Sequence, residues 1–172
     1  MKSVNTIKKI CFFCKICLIC VAASQSVLFF PAFFASAGEP SALSNGQTLY
    51  VPAYSHIYAG NRELPVMLTV TLSIRNTDLK HSMTVSSIEY YGTKGERLKK
   101  LIDKPIVIGA LESIRYVIPQ KDKSGGSGAN FLVEWHSDKS VNLPLVESVM
   151  IGAEGQQGIS FTSRSQQITT SN

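Results

Sequence analysis

One ten-residue run constrains this chain more than any other feature. From Val66 to Arg75 the sequence reads VMLTVTLSIR, with Val66, Leu68, Val70, Leu72 and Ile74 alternating against Met67, Thr69, Thr71, Ser73 and Arg75. A period of two puts the five aliphatic residues on one face of a strand, whereas a helix would scatter them around its circumference. A strand with one apolar face must pack against a second apolar layer, so the run predicts an all-β sandwich or barrel.

The residues around it repeat the pattern in shorter pieces. Thr48–Tyr54 reads as a strand with Leu49 and Val51 on one face, and Pro52 makes it an edge strand or marks a strand end. Met83–Tyr91 reads as the return strand, and its change of parity between Val85 and Ile88 predicts a bulge at Ser86-Ser87. Short strands are expected at Arg97–Ile102, Pro105–Ile108, Ser113–Ile118, Asn130–His136, Leu145–Ile151 and Gly158–Ser163. Turn formers separate them: Gly60-Asn61, Asn76-Thr77-Asp78, Gly92–Gly95, Gly109–Glu112 and the loop QKDKSGGSG at 120–128. No run of ten residues in this part keeps a helical period. Seven to nine short strands predict an antiparallel β-sandwich, immunoglobulin-like, with an open barrel as the alternative. The domain is placed at 48–164, preceded by an exposed leader at 38–47 and followed by a flexible tail at 165–172.

The first 37 residues have a different character. Lys2, Lys8 and Lys9 form a basic head, two apolar stretches follow around Ser24-Gln25-Ser26, and Ala35-Ser36-Ala37 is a small-x-small site. This is the pattern of a cleaved secretory signal, with cleavage after Ala37 and export to the periplasm or the exterior. An uncleaved anchor is the alternative, opposed by the Ser-Gln-Ser break and by Pro31. Four of the 17 basic residues lie here with no acid, which leaves 13 basic against 12 acidic residues beyond it. The formal charge of +5 is therefore no nucleic-acid footprint on the domain. All four cysteines, Cys11, Cys14, Cys17 and Cys20, fall in the same apolar segment. Their C-x-x-C spacing has none of the hydrogen-bonded surroundings that a metal site requires, and the remainder of the chain folds without disulfides.

Several stretches together resemble one family. YVPAYSHIY at 50–58, LTVTLSIRNTD at 68–78, EYYGTKG at 89–95, GGSGANFLVEW at 125–135, VESVMIG at 146–152 and QGISFTSR at 157–164 are similar to the bacterial exported proteins grouped as domain of unknown function 3124. The resemblance spans about Leu49 to Ile168. It implies a signal-bearing chain with one domain, and no activity that carries over.

Candidate functional residues form two sets. Tyr50, Tyr54, His56, Tyr58, Arg75, Asn76 and Asp78 are expected to line a polar and aromatic rim at one end of the sandwich, where loops on a rigid scaffold carry function. For Asn76-Thr77-Asp78 the simpler reading is turn capping. His56, Glu134 and His136 would hold a zinc or copper ion if the fold brought them together, since Glu134 and His136 share one strand face; otherwise they are solvent-facing polar groups, and no cofactor is needed. Ser55-His56 suggests a hydrolase, but neighbours on an extended chain point apart and no G-x-S-x-G elbow is present. Gly125, Gly126 and Gly128 lack the Lys and the helix of a phosphate loop and read as a flexible or positive-φ loop. Lys94, Arg97, Lys99, Lys100 and Lys104 read as charges protecting a sheet edge rather than a surface for anionic polymers.

The composite expectation is a non-catalytic binding or interaction module of the cell envelope. Its partner would be an envelope protein or a small ligand. Nucleic acid is not expected, and membrane contact would come only through an uncleaved N-terminal segment. A metal- or small-ligand-binding periplasmic protein is the second reading, and an envelope hydrolase the third.

Overall fold

The computed structural model describes residues 43–59, 63–154 and 157–169. The expected signal segment with its cysteines, and Gly60-Asn61, lie outside the described residues. In chain order the strands are β1 (Leu43–Pro52), β2 (His56–Ala59), β3 (Leu64–Met67), β4 (Thr69–Arg75), β5 (Met83–Tyr91), β6 (Arg97–Lys100), β7 (Ile106–Ile108), β8 (Ser113–Ile118), β9 (Asn130–Asn142), β10 (Leu145–Glu154), β11 (Gln157–Arg164) and β12 (Gln166–Ile168). Gly126–Gly128 add one turn of 3-10 helix.

All pairings are antiparallel, and they build two sheets and a ribbon. The larger sheet runs β12-β1-β9-β5-β6, with β7 on the same edge of β5 as β6. The smaller runs β11-β10-β4-β8, and β2 and β3 form a two-stranded ribbon. The alternating apolar residues turn inward from both sheets. Leu49, Val51, Val85, Ile88, Phe131, Val133 and Trp135 come from the larger sheet, and Val70, Leu72, Ile74, Val146 and Met150 from the smaller. All are buried in one cluster, and each aliphatic side chain removed from water in this way contributes about 1.5–3 kcal/mol. Ser148 is the polar exception on the inner face of β10. Its hydroxyl is fully buried and donates to the Pro52 carbonyl at the end of β1, which hydrogen-bonds one sheet to the other.

The all-β, antiparallel, two-sheet expectation is met, and several boundaries differ. Among the described residues twelve strands replace seven to nine: β2 and β12, four and three residues long, are too short to show a period, and β3 is divided from the ten-residue run. The ten-residue run is divided: β3 pairs with β2, Leu68 donates its amide to the Ser55 carbonyl, and β4 then pairs with β10 and β8. Burial alternates straight through that change of partner, which is why the sequence reads as one strand. β1 begins at Leu43, inside the expected leader, because Leu43 and Ser44 pair with Asn142 and Val141. Gln166–Ile168, inside the expected tail, pair with Tyr50–Thr48. Pro52 closes β1, and the β5 register shifts between Val85 and Ser87 where the parity change predicts it.

β9 runs six residues past its expected end at His136. In its pairing with β1, Gly46 faces His136 and Ser44 faces Val141, so Ser137–Ser140 stand opposite Asn45 alone. Such an insertion bends a strand and re-aims its side chains. It lies at the end of the sandwich where the 76–82 connection joins β4 to β5.

Candidate functional site

At that end a polar cleft of ≈ 280 Å³ opens between Lys80, His81, Ser82 and Thr84 on one wall and Ser137, Asp138 and Lys139 on the other. The first wall is the β4–β5 connection and the start of β5; the second is the insertion in β9. Ser137 Oγ donates to the Ser82 carbonyl at 2.9 Å and joins the walls.

Two buried polar residues brace the cleft from beneath. Asn76, 2% exposed, donates through Nδ2 to the carbonyls of His81 at 2.8 Å and Gly109 at 2.9 Å, and its Oδ1 accepts the Asp78 amide at 2.9 Å. Asp78, 7% exposed, accepts the amides of Lys80 and His81 on Oδ1, both at 2.9 Å, and that of Asn142 on Oδ2 at 3.1 Å. One carboxylate thus holds the Lys80–His81 backbone against the end of β9. The amide of Lys80, then those of His81 and Asn142, keep the Asp78 carboxyl well below its ordinary value, because each stabilises the charged form. His81 Nδ1 also lies 3.2 Å from Asp78 Oδ1, with the imidazole about half exposed. When Nδ1 carries the proton it donates to Asp78, which orients the ring and leaves Nε2 as the unprotonated nitrogen.

Asp–His is the orienting half of a catalytic triad. Among the described residues no hydroxyl is bonded to the other ring nitrogen, so the pair supplies an oriented imidazole beside two lysines.

The sequence-predicted rim does not assemble. Asn76 and Asp78 act as turn caps beneath the cleft rather than as rim residues. Arg75 projects from the outer face of the smaller sheet, with Nε donating to Ser73 Oγ at 3.1 Å. Tyr50 lies on the outer face of β1, between Leu132 and Gln166. Tyr54, His56 and Tyr58 sit at the opposite end of the sandwich. Tyr54 packs edge-on against Phe161 with ring centroids 5.7 Å apart, and the His56 and Tyr58 rings are 5.2 Å apart. His56 pairs with Met67, and Met67 to Arg75 spans about 25 Å of strand. An order of residues along the chain cannot show that a strand separates them to its two ends.

The proposed metal set fails for a similar reason. Glu134 and His136 lie exposed on the outer face of β9, while His56 belongs to the ribbon. Among the described residues no three His, Cys, Asp or Glu side chains are grouped to hold a metal ion. Ser55 is fully buried, with Oγ 2.9 Å from Tyr90 Oη, which removes it as a nucleophile. Gly126 has φ +74°, as the positive-φ reading of its loop requires. Within the basic stretch Arg97 is paired with Glu89 at 2.8 Å.

Lys80, His81, Ser82, Ser137, Asp138 and Lys139 were not singled out as site residues. The signal for the first three was the N-x-D turn just before them, whose side chains fix the following backbone. The others lie in the polar SDKS segment just beyond the expected strand end at His136, which folds as an insertion.

These features define a two-sheet antiparallel β-domain with a braced polar cleft at one end. The chain belongs to the family described as Protein of unknown function (DUF3124), whose profile matches residues 46–168. No curated protein matches it. Among solved structures, the crystal structure of Thermotoga maritima 1070 is similar at a TM-score of 0.41 and 11% identity, over 72% of this chain and 95% of that one. At that level the similarity fixes neither topology nor function.

Proposed function

We propose that this domain is a non-catalytic binding module of the cell envelope, exported by its N-terminal segment and cleaved after Ala37. The observation that supports binding is the brace beneath the cleft. Asp78 and Asn76 commit a buried carboxylate and a buried amide to fixing backbone whose side chains, Lys80 and His81, face solvent. Recognition groups held in place before binding lose less entropy on binding. Lys80 and Lys139 are the exposed cations of the cleft, while Asp78 beneath it is committed to backbone amides and His81, so the groups that reach solvent offer donors to an acceptor-bearing ligand or partner surface. The basic head, apolar stretches and Ala35-Ser36-Ala37 support export.

Native mass spectrometry of the protein taken from its own envelope fraction tests both parts. The expected species begins at Gly38 and carries a bound small molecule or partner chain, and Lys80→Ala with Lys139→Ala removes that added mass while the far-ultraviolet circular dichroism is unchanged. An intact Met1 chain in the cytosolic fraction overturns the export reading. Retention of the added mass by the double variant overturns the placement in the cleft.

A further inference from the structure

The outer face of the smaller sheet holds a second arrangement that the cleft does not use. On β4, Thr71, Ser73 and Arg75 share this face, and Val117, Arg115 and Ser113 of β8 stand opposite them in that order. Arg75 and Arg115 are therefore diagonal neighbours across one strand pair, roughly 7 Å apart at Cβ. Both are exposed, and neither forms an ion pair with a described residue. Between them a hollow of ≈ 210 Å³ is lined by Thr71, Ser73, Ser113 and Ile114 together with the two arginines and Val149.

Ser73 forms the floor. It points outward, yet it is only 8% exposed. Its Oγ accepts the Nε–H of Arg75, and among the described residues its own proton has no acceptor. A buried hydroxyl with a free proton, beneath two unpaired guanidinium groups, is an incomplete hydrogen-bonding set that lacks an acceptor. The Nε bond also fixes the plane of the Arg75 fork and leaves its terminal nitrogens to donate. Glu147 of β10 stands directly opposite Ser73 and is an acid on this face; it forms no ion pair with a described residue, and Arg164 of β11 stands opposite it in the next strand.

We propose that this hollow is an oxyanion site, taking a phosphate group between Arg75 and Arg115 with the Ser73 hydroxyl donating from below. Two guanidinium forks and one hydroxyl supply the directed donors that a tetrahedral oxyanion accepts, and bidentate arginine contacts are the strong form of such bonds. The apolar Val149, opposite Thr71 on this face, gives the carbon body of a phosphate ester a surface to rest on. The site is independent of the cleft, which lies at the end of the sandwich and uses none of these residues.

Inorganic phosphate and glycerol 3-phosphate are the probes. Each is titrated into the full domain while backbone amide and arginine Nε resonances are followed, with sodium chloride at matched ionic strength as the control. Saturable shifts are expected at Ser73, Arg75, Ser113 and Arg115, with affinity reduced about tenfold or more in Arg115→Gln. β8 is an edge strand, so this variant should keep the wild-type melting temperature without ligand; Lys104→Ala, at an exposed position outside both the hollow and the cleft, should bind phosphate as wild type does. Tighter binding of the ester identifies a phosphorylated organic molecule as the ligand, and equal binding identifies the free ion. Shifts that sodium chloride reproduces, or that survive in both Arg115→Gln and Arg75→Gln, overturn the site.

Discussion

Single buried polar groups do the most specific work in this protein. Asp78 binds three backbone amides and so ties the β4–β5 connection to the end of β9. Its carboxyl lies below its ordinary value of 3.8, so its contribution to stability is complete above the unfolded-state value and is lost as pH falls through the folded one. Asp78→Asn is expected to lower the melting temperature near neutrality. The gap from wild type should be full above about pH 5 and close on acidification; a gap independent of pH would show that the charge is not what matters. Trp135 poses the opposite case. It is 3% exposed, and its Nε1 has no hydrogen-bond partner among the described residues. Phe in its place removes an unsatisfied donor along with some ring volume, so Trp135→Phe should cost less than about 1.5 kcal/mol in urea unfolding, against about 3–5 kcal/mol for Trp135→Ala.

Between elements, the glycine loop shows how closely the ribbon end is fitted. Thr93 donates its amide and its hydroxyl to the Gly125 carbonyl, at 3.0 and 2.9 Å, and Ser55 donates its amide to the Gly126 carbonyl at 2.9 Å. A Cβ on Gly125 would collide with Tyr90 Oη, which is bonded to the buried Ser55 hydroxyl. Gly125→Ala is therefore expected to destabilise by about 2–3 kcal/mol. Tyr90→Phe removes the oxygen in the way, so the double variant should be more stable than the sum of the two single changes predicts. Strict additivity in that cycle would show that the collision is relieved elsewhere. The strands of this region were legible from sequence because alternation depends only on neighbouring residues. The change of partner at Leu68 was not, since the same pattern of burial serves two different ladders.

For the whole molecule, the pairing is remote in sequence. β1 lies beside β9 and β12, with Leu49 opposite both Val133 and Gln167, so β1 gains both of its neighbours only from much later parts of the chain. Topologies of this kind close large loops before contacts reward them. Refolding from urea should take on the order of milliseconds to seconds. Deleting Gln166–Ile168 should leave the two sheets formed but bare the outer edge of β1, and so promote concentration-dependent association, read by analytical ultracentrifugation. A truncated chain that stays monomeric at all concentrations would show that β12 is not what protects this edge.

Sequence alone determined the all-β class, the inward residues of β4, β5, β8 and β9, the bulge near Ser86-Ser87, the turn-capping role of Asn76 and Asp78, and membership of the family. Each of these rests on local periodicity, on side chains that bond their own backbone, or on short stretches read together. Only the tertiary structure decided which candidates meet. It sent Tyr54, His56 and Tyr58 to one end of the sandwich and Asn76 and Asp78 to the other, and it kept His56 away from Glu134 and His136. It also brought Lys80 beside Lys139, and Arg75 beside Arg115, through a strand register and an insertion in β9. Register is set by partners dozens of residues away, and a single strand carries no record of what will lie beside it.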